Sequence, residues 1–290
     1  MKHALRITIL FLALSPSFFV SAQNGNIGIP AQKGTVRTAK TNELGISLGT
    51  AYYIGDLNPS KPFGAQEKLC AGLSVRHNFN LRWAVKASFN YGNVEAHDSK
   101  SKDPWQQNRN LNFRNRFFEG AVVFELNFFE YQLGTGSDIS PYLFLGSGLC
   151  YSNPEAEYNG FWHSLQPAGT EGQGMKGHDP FYKQTIFVMP MGAGLKMNLG
   201  QKMGLDIEWG MRKTWSDYFD DVSGNYVDPA LLQASRGQLT THLADQSLQQ
   251  MNSNNSLVQR GESSRKDLYF FCMATLNIRL AKKLDTCWKG

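Results

Sequence analysis

The chain has little cysteine, and what it has is badly spaced for chemistry. Four cysteines in 290 residues, at 70, 150, 272 and 287, match no zinc or redox spacing. They leave two readings open, disulfides in an oxidising compartment or isolated thiols. Past the N-terminus no apolar run reaches the ~18 residues that a membrane-crossing helix needs. Dense basic runs are missing too, and a net charge of +5 does not point to nucleic acid. No serine or cysteine sits in a nucleophile motif beside a histidine, and no glycine loop is built to cradle phosphate. Gly192 and Gly194 fall inside a strand pattern, where they make room for close packing.

What is present is alternation. In Met203–Trp215 the odd positions Met203, Leu205, Ile207, Trp209 and Met211 are apolar, while the even ones include Asp206, Glu208 and Arg212. A strand sends alternate side chains to opposite faces, so one face is greasy and the other charged. The same pattern predicts strands at 43–55, 69–79, 82–95, 113–129, 139–151, 184–199 and 266–280. Pro190 predicts a bulge, and helical spacing in Pro229–Leu248 predicts a short helix. The connections alternate long and short along the chain.

These features predict an all-β fold, an eight-stranded antiparallel transmembrane β-barrel of residues 43–280. Outer-membrane barrels have short periplasmic turns, long extracellular loops and an apolar outer band. The competing fold is a secreted β-sandwich with one wet face. Against it, most strands reach the ~10 residues that cross a bilayer at a tilt. Trp83, Tyr91, Trp209 and Trp215 lie on the greasy faces, and the pair near strand ends fits an interfacial aromatic girdle. The partner on that surface is outer-membrane lipid.

The faces turned inward carry Glu43, Glu119, Glu125, Asp206 and Glu208, with Arg76, Arg82, Lys86, Arg212 and Arg279. An eight-stranded barrel has room only for its own side chains. The expectation is a self-neutralised plug and no conducting pore. Glu119 and Glu125 stand ~20 Å apart along one strand, too far for an acid/base pair. His163 and His178 share a loop, with a spacing that is weak for metal. The run Asp217 to Asp228 is acidic without EF-hand spacing, so an acidic turn ordering the loop base is expected ahead of a calcium site. No cofactor, no small-molecule substrate and no catalytic residue is expected.

At the N-terminus Lys2 and Arg6 precede an apolar run and then Val20-Ser21-Ala22. That is the layout of a signal peptide spanning residues 1–22, with cleavage between Ala22 and Gln23. A polar lead-in (23–42) and a short basic tail (281–290) flank the barrel.

Several stretches together resemble a known family. They are Glu43-Leu44-Gly45-Ile46, Tyr52 to Pro59, Tyr142 to Gly146, the run from Thr214 to Gly224, and Arg260-Gly261 before Asp267 to Phe270. The most specific piece is the loop with Asp217, Asp220, Asp221, Ser223 and Gly224. The chain is similar here to the outer-membrane barrel family of Bacteroidota that includes PorG of the type IX secretion system. The resemblance implies a multi-pass outer-membrane protein that docks through its periplasmic side on a ring of the PorK lipoprotein and PorN. It carries no catalytic residues over. The surfaces available for docking are Asn24–Asn42, Tyr131–Asp138 and the tail with Lys282, Lys283 and Lys289. Two other functions stay open, an adhesive barrel acting through its loops and a lipid-modifying barrel enzyme.

Overall fold

The structure is a computed structural model that describes residues 40–58, 67–134, 139–249 and 258–280. The expected signal peptide, most of the expected lead-in, the basic tail and Cys287 lie outside the described residues. The strands are β1 (Thr41–Ile54), β2 (Lys68–Asn78), β3 (Trp83–His97), β4 (Asn112–Asn127), β5 (Ile139–Tyr158), β6 (Phe161–Ser164), β7 (Thr185–Asn198), β8 (Met203–Thr214) and β9 (Leu268–Arg279). All are joined by antiparallel pairing, and β1 pairs with β9. The ring β1-β2-β3-β4-β5-β7-β8-β9 therefore closes as an eight-stranded barrel, with no free sheet edge along the wall.

The outward rows are apolar and open. Ile46, Leu48 and Leu69 are 58%, 67% and 80% exposed, and Phe89, Phe124, Leu145 and Ile207 stand in the same belt. In water a surface of this kind aggregates; in a bilayer it is the lipid face. No described helix is long and apolar enough to cross a membrane, and the strands do the crossing. At the short-turn end Asn80 shapes the β2–β3 turn: its Oδ1 accepts from the Arg82 and Trp83 amides at 2.8 and 2.9 Å.

Three local expectations change. Pro190 makes no bulge: Leu145 opposes Met191 and Gly148 opposes Val188, so the register is the same on both sides. The proline, which has no N–H, only interrupts the β5 ladder there. The connection expected after residue 151 is instead a continuation of β5 to Tyr158, folded back on β6 as a hairpin. Pairing holds it up: Arg114 Nη2 donates to Glu155 at 2.6 Å, and the Arg114 guanidinium lies 4.0 Å from the centre of the Trp162 ring. The helix expected in Pro229–Leu248 is two, α3 (Pro229–Arg236) and α4 (Gln238–Ala244), split at Gly237 with φ +87°. Before them come α1 (Pro104–Arg109) and a single turn, α2 (Leu165–Ala168). Asp228 caps α3, accepting from the Ala230 amide at 2.8 Å.

Gly192 and Gly194 do make room. A Cβ on Gly194 would stand 2.5 Å from the Tyr142 ring, and one on Gly192 would stand 2.3 Å from the Trp209 carbonyl. Gly194→Ala should therefore cost about 1–3 kcal/mol of barrel stability by overpacking. Urea unfolding in micelles measures it; a midpoint equal to wild type would mean that Tyr142 yields freely.

Candidate functional site

The lumen is filled in two layers. Towards the short-turn end the strands project Glu43, Glu125, Asp206 and Glu208 against Arg76, Lys86 and Lys196. Arg76 pairs with Glu43 at 2.9 Å, with Glu125 at 2.8 Å and with Asp206. Lys86 pairs with Glu208 and, at 3.3 Å, with Glu125; Lys196 reaches Glu125 at 2.6 Å. Tyr142 donates to Glu208 at 2.9 Å, and Asn78 to Glu43 at 2.6 Å. Higher up, Arg212 pairs with Glu119 at 3.2 Å, and Tyr269 and Asn90 donate to the same carboxylate at 2.7 and 3.0 Å. Buried charges are costly unless paired and hydrogen-bonded; each of these has an ion-pair partner, while Arg76 Nε and Asp206 Oδ1 make no hydrogen bond. A cavity of about 20 Å³ beside Lys86, Asn90, Glu208 and Arg212 is space for about one water, not a channel.

Above the charges the lumen is apolar. Tyr53, Phe113, Phe117, Tyr269 and Phe271 point inward and are buried, and Phe219 of the β8–β9 loop packs among them. Its ring stacks on Tyr269 at 5.0 Å between centroids and meets Phe117 edge-on at 5.2 Å. A long loop thus corks the barrel.

The acidic run supplies the base of that cork. Asp217 accepts from the Ser223 hydroxyl at 2.6 Å. Asp220 accepts from the Val222 amide at 2.9 Å and from Tyr53. Asp221 holds a left-handed φ of +69°, accepts from Tyr182 at 2.7 Å and lies 3.6 Å from Arg260. Arg260 also pairs with Glu171 at 2.9 Å, and Glu171 accepts from the Ser223 and Gly224 amides. Arg109 of α1 pairs with Asp98 at 2.6 Å and donates to the Arg260 carbonyl at 2.6 Å, which ties a second loop to the first. Burial pushes the Asp56 carboxyl up to about 6. It pushes Asp221 up to about 6 as well, against the pull of Arg260.

The expected site residues fall as follows. Glu43, Arg76, Lys86, Glu119, Glu125, Asp206, Glu208 and Arg212 are all buried in the lumen. Arg279 is not in their network. It sits half-buried at the short-turn rim and donates to the Leu133 carbonyl at 2.8 Å. Arg82 is exposed in a turn, donating to the Phe128 carbonyl at 3.2 Å, because β3 begins one residue after it. Lys196 takes the role given to them. Its parity with Pro190, opposite the methionine row of β7, was the signal for it. Asp217, Asp220, Asp221, Ser223 and Gly224 form one turn, as above. Ala22 and Gln23 lie outside the described residues. Cys70, Cys150 and Cys272 are free thiols. Among the described residues no group of three or more His, Cys, Asp or Glu is arranged to hold a metal.

The sequence matches the family model described as a domain of unknown function, DUF6089, over residues 31–234. The chain belongs to that family. The match takes in the wall from β1 to β8, together with the acidic turn, and stops before Arg260 and Asp267, which complete the cork's attachment. No curated protein matches the sequence. Among solved structures, the chain is similar to Neisserial surface protein A (NspA), with TM-score 0.41 and 8% identity over 82% of this chain and 97% of that one. It is similar to Ail, the attachment invasion locus protein of Yersinia pestis, with TM-score 0.40 and 12% identity over 83% and 99%. It is also similar to the N-terminal β-barrel domain of Pseudomonas aeruginosa OprF, with TM-score 0.35 and 8% identity over 83% and 100%.

Proposed function

We propose that this outer-membrane barrel is a non-catalytic, non-conducting anchor for a protein secretion assembly, the type IX system. Its periplasmic side would hold the ring of PorK and PorN. The observation that carries the anchor reading is the lumen, blocked by ion pairs below and by Phe219 above. A barrel closed in this way offers no route for solute, and its working surfaces are its two ends. The choice of assembly rests on the resemblance of the acidic turn and its flanking stretches.

Purification from detergent-solubilised outer membrane tests it. The expected result is co-purification of a ring lipoprotein and its periplasmic partner, and loss of secretion when the gene is deleted. Recovery of the barrel alone, with secretion intact, overturns the proposal. In planar bilayers the expected conductance is none above background; steady open-channel steps would contradict the anchor reading.

The second reading, an adhesive barrel, is favoured by one feature. The β5–β6 hairpin rises beyond the belt and presents Phe161 at its tip, 71% exposed. Unchanged secretion with lost surface binding in the deletion strain would select it.

A further inference from the structure

The hydroxyl of Tyr53 lies within hydrogen-bonding reach of two carboxylates, Asp220 and, at 3.0 Å, Asp267. All three side chains are buried. A phenol has one proton to donate, and a carboxylate can only accept. With both carboxylates ionised, Tyr53 donates to one and turns lone pairs towards the other. With one proton added the chain is complete: one carboxyl donates to Tyr53, and Tyr53 donates to the other.

The surroundings make ionisation of both expensive. No lysine or arginine forms an ion pair with Asp220 or Asp267 among the described residues. From the end of β1, Asp56 adds a third carboxylate, and Asp217 adds a fourth from the same loop as Asp220. The nearby cations have other partners. Arg109 pairs with Asp98 and donates to the carbonyls of Asp56 and Arg260. Arg260 serves Glu171 and Asp221. Lys266 is exposed and donates to the Ser263 carbonyl; Glu262 gives its amide to Asp56 and adds negative charge. Burial and the neighbouring acids push both Asp220 and Asp267 well above the usual carboxylate range.

We infer that Asp220 and Asp267 hold one proton between them through Tyr53, and that this proton fastens the long loop into the mouth of the barrel. The same two carboxylates hold the backbone of the cork. Asp267 accepts from the Phe219 amide at 3.0 Å, and Asp220 from the Val222 amide at 2.9 Å. Repulsion between them therefore pulls directly on Phe219. The direction of the pH effect follows from the raised values. The fastening is complete below the ordinary carboxyl value of ~4 and is lost as pH rises through the raised one. Each proton released weakens closure by about tenfold per pH unit. Asp56 and Asp221, both pushed up to about 6, act in the same sense between roughly pH 4 and that value.

The test uses the full chain in micelles. Hydrogen exchange of the Phe219 and Val222 amides is followed from about pH 5 to about pH 9 and corrected for intrinsic exchange, with the Met273 amide as a barrel control. Protection in the wild type is expected to fall with rising pH while the control holds. In Asp220→Asn and Asp267→Asn, where an amide supplies the donor permanently, the fall should flatten. A flat wild-type profile, or Asn variants as steep as wild type, overturns the inference. The infrared carbonyl band of a protonated carboxyl group gives a reading from the wild type alone. It should be present near neutral pH, and its absence there sinks the shared proton even if neither variant folds.

Discussion

Glu125→Ala is expected to cost the barrel about 3–5 kcal/mol, because it leaves buried charge without a partner. Glu125 is fully buried and takes Arg76, Lys86 and Lys196 together. After its removal Arg76 keeps Glu43 and Asp206, and Lys86 keeps Glu208. Lys196 keeps no ion pair: its cross-strand neighbour Asp206 is committed to Arg76, and its ammonium is left 4.6 Å from the centre of the Tyr142 ring, in a site closed to water. The loss is therefore mostly a stranded lysine. Glu125→Ala combined with Lys196→Met should recover a large part of it, since removing both partners of a buried pair is often close to neutral. Urea titrations in micelles, read by the gel shift between folded and unfolded barrel, give both numbers. A single-variant loss below about 1 kcal/mol, or a double variant no better than the single, would refute this account of the lumen.

Phe219→Ala should have an effect of similar size in a different place. The ring has no exposed surface and touches Phe117, Tyr269 and Tyr53. Truncating a buried phenylalanine costs about 3–5 kcal/mol. Here the cost falls on loop closure and leaves the ladder alone, because Phe219 belongs to no strand. The Val222 amide should exchange roughly 10²–10⁴ times faster while the β9 amides keep their protection. Unchanged exchange at Val222 would show that the loop stays closed without its aromatic anchor, on Arg260 and the acidic turn alone.

The charged layer and the aromatic cork are not equally legible in the sequence. Alternation made the lumen charges legible, because every second residue of a strand faces lipid and has to be apolar. Lys196 escaped because its face of β7 also carries Pro190, Gly192 and Gly194, which give little periodic signal. Arg82 shares the parity of the inward residues of β3, but the strand begins one residue after it and leaves it in the turn. The aromatic layer was hidden for another reason. Phe113 and Phe117 face the lumen while Phe118 faces lipid, and a phenylalanine satisfies either environment. The partner of the acidic turn was hidden by distance along the chain: Asp267 is 47 residues beyond Asp220 and 214 beyond Tyr53.

The sequence by itself determined the wall. Strand number, the apolar outward rows, the alternation of short turns with long loops and most of the buried charges follow from period-two patterning, which is local. Only the tertiary structure decided what fills the barrel and what fastens it. Which base meets which acid, where Phe219 lodges and which carboxylates crowd Tyr53 all depend on closure of the ring. Closure sets side by side residues that no periodicity connects, in a space where burial gives each contact its weight.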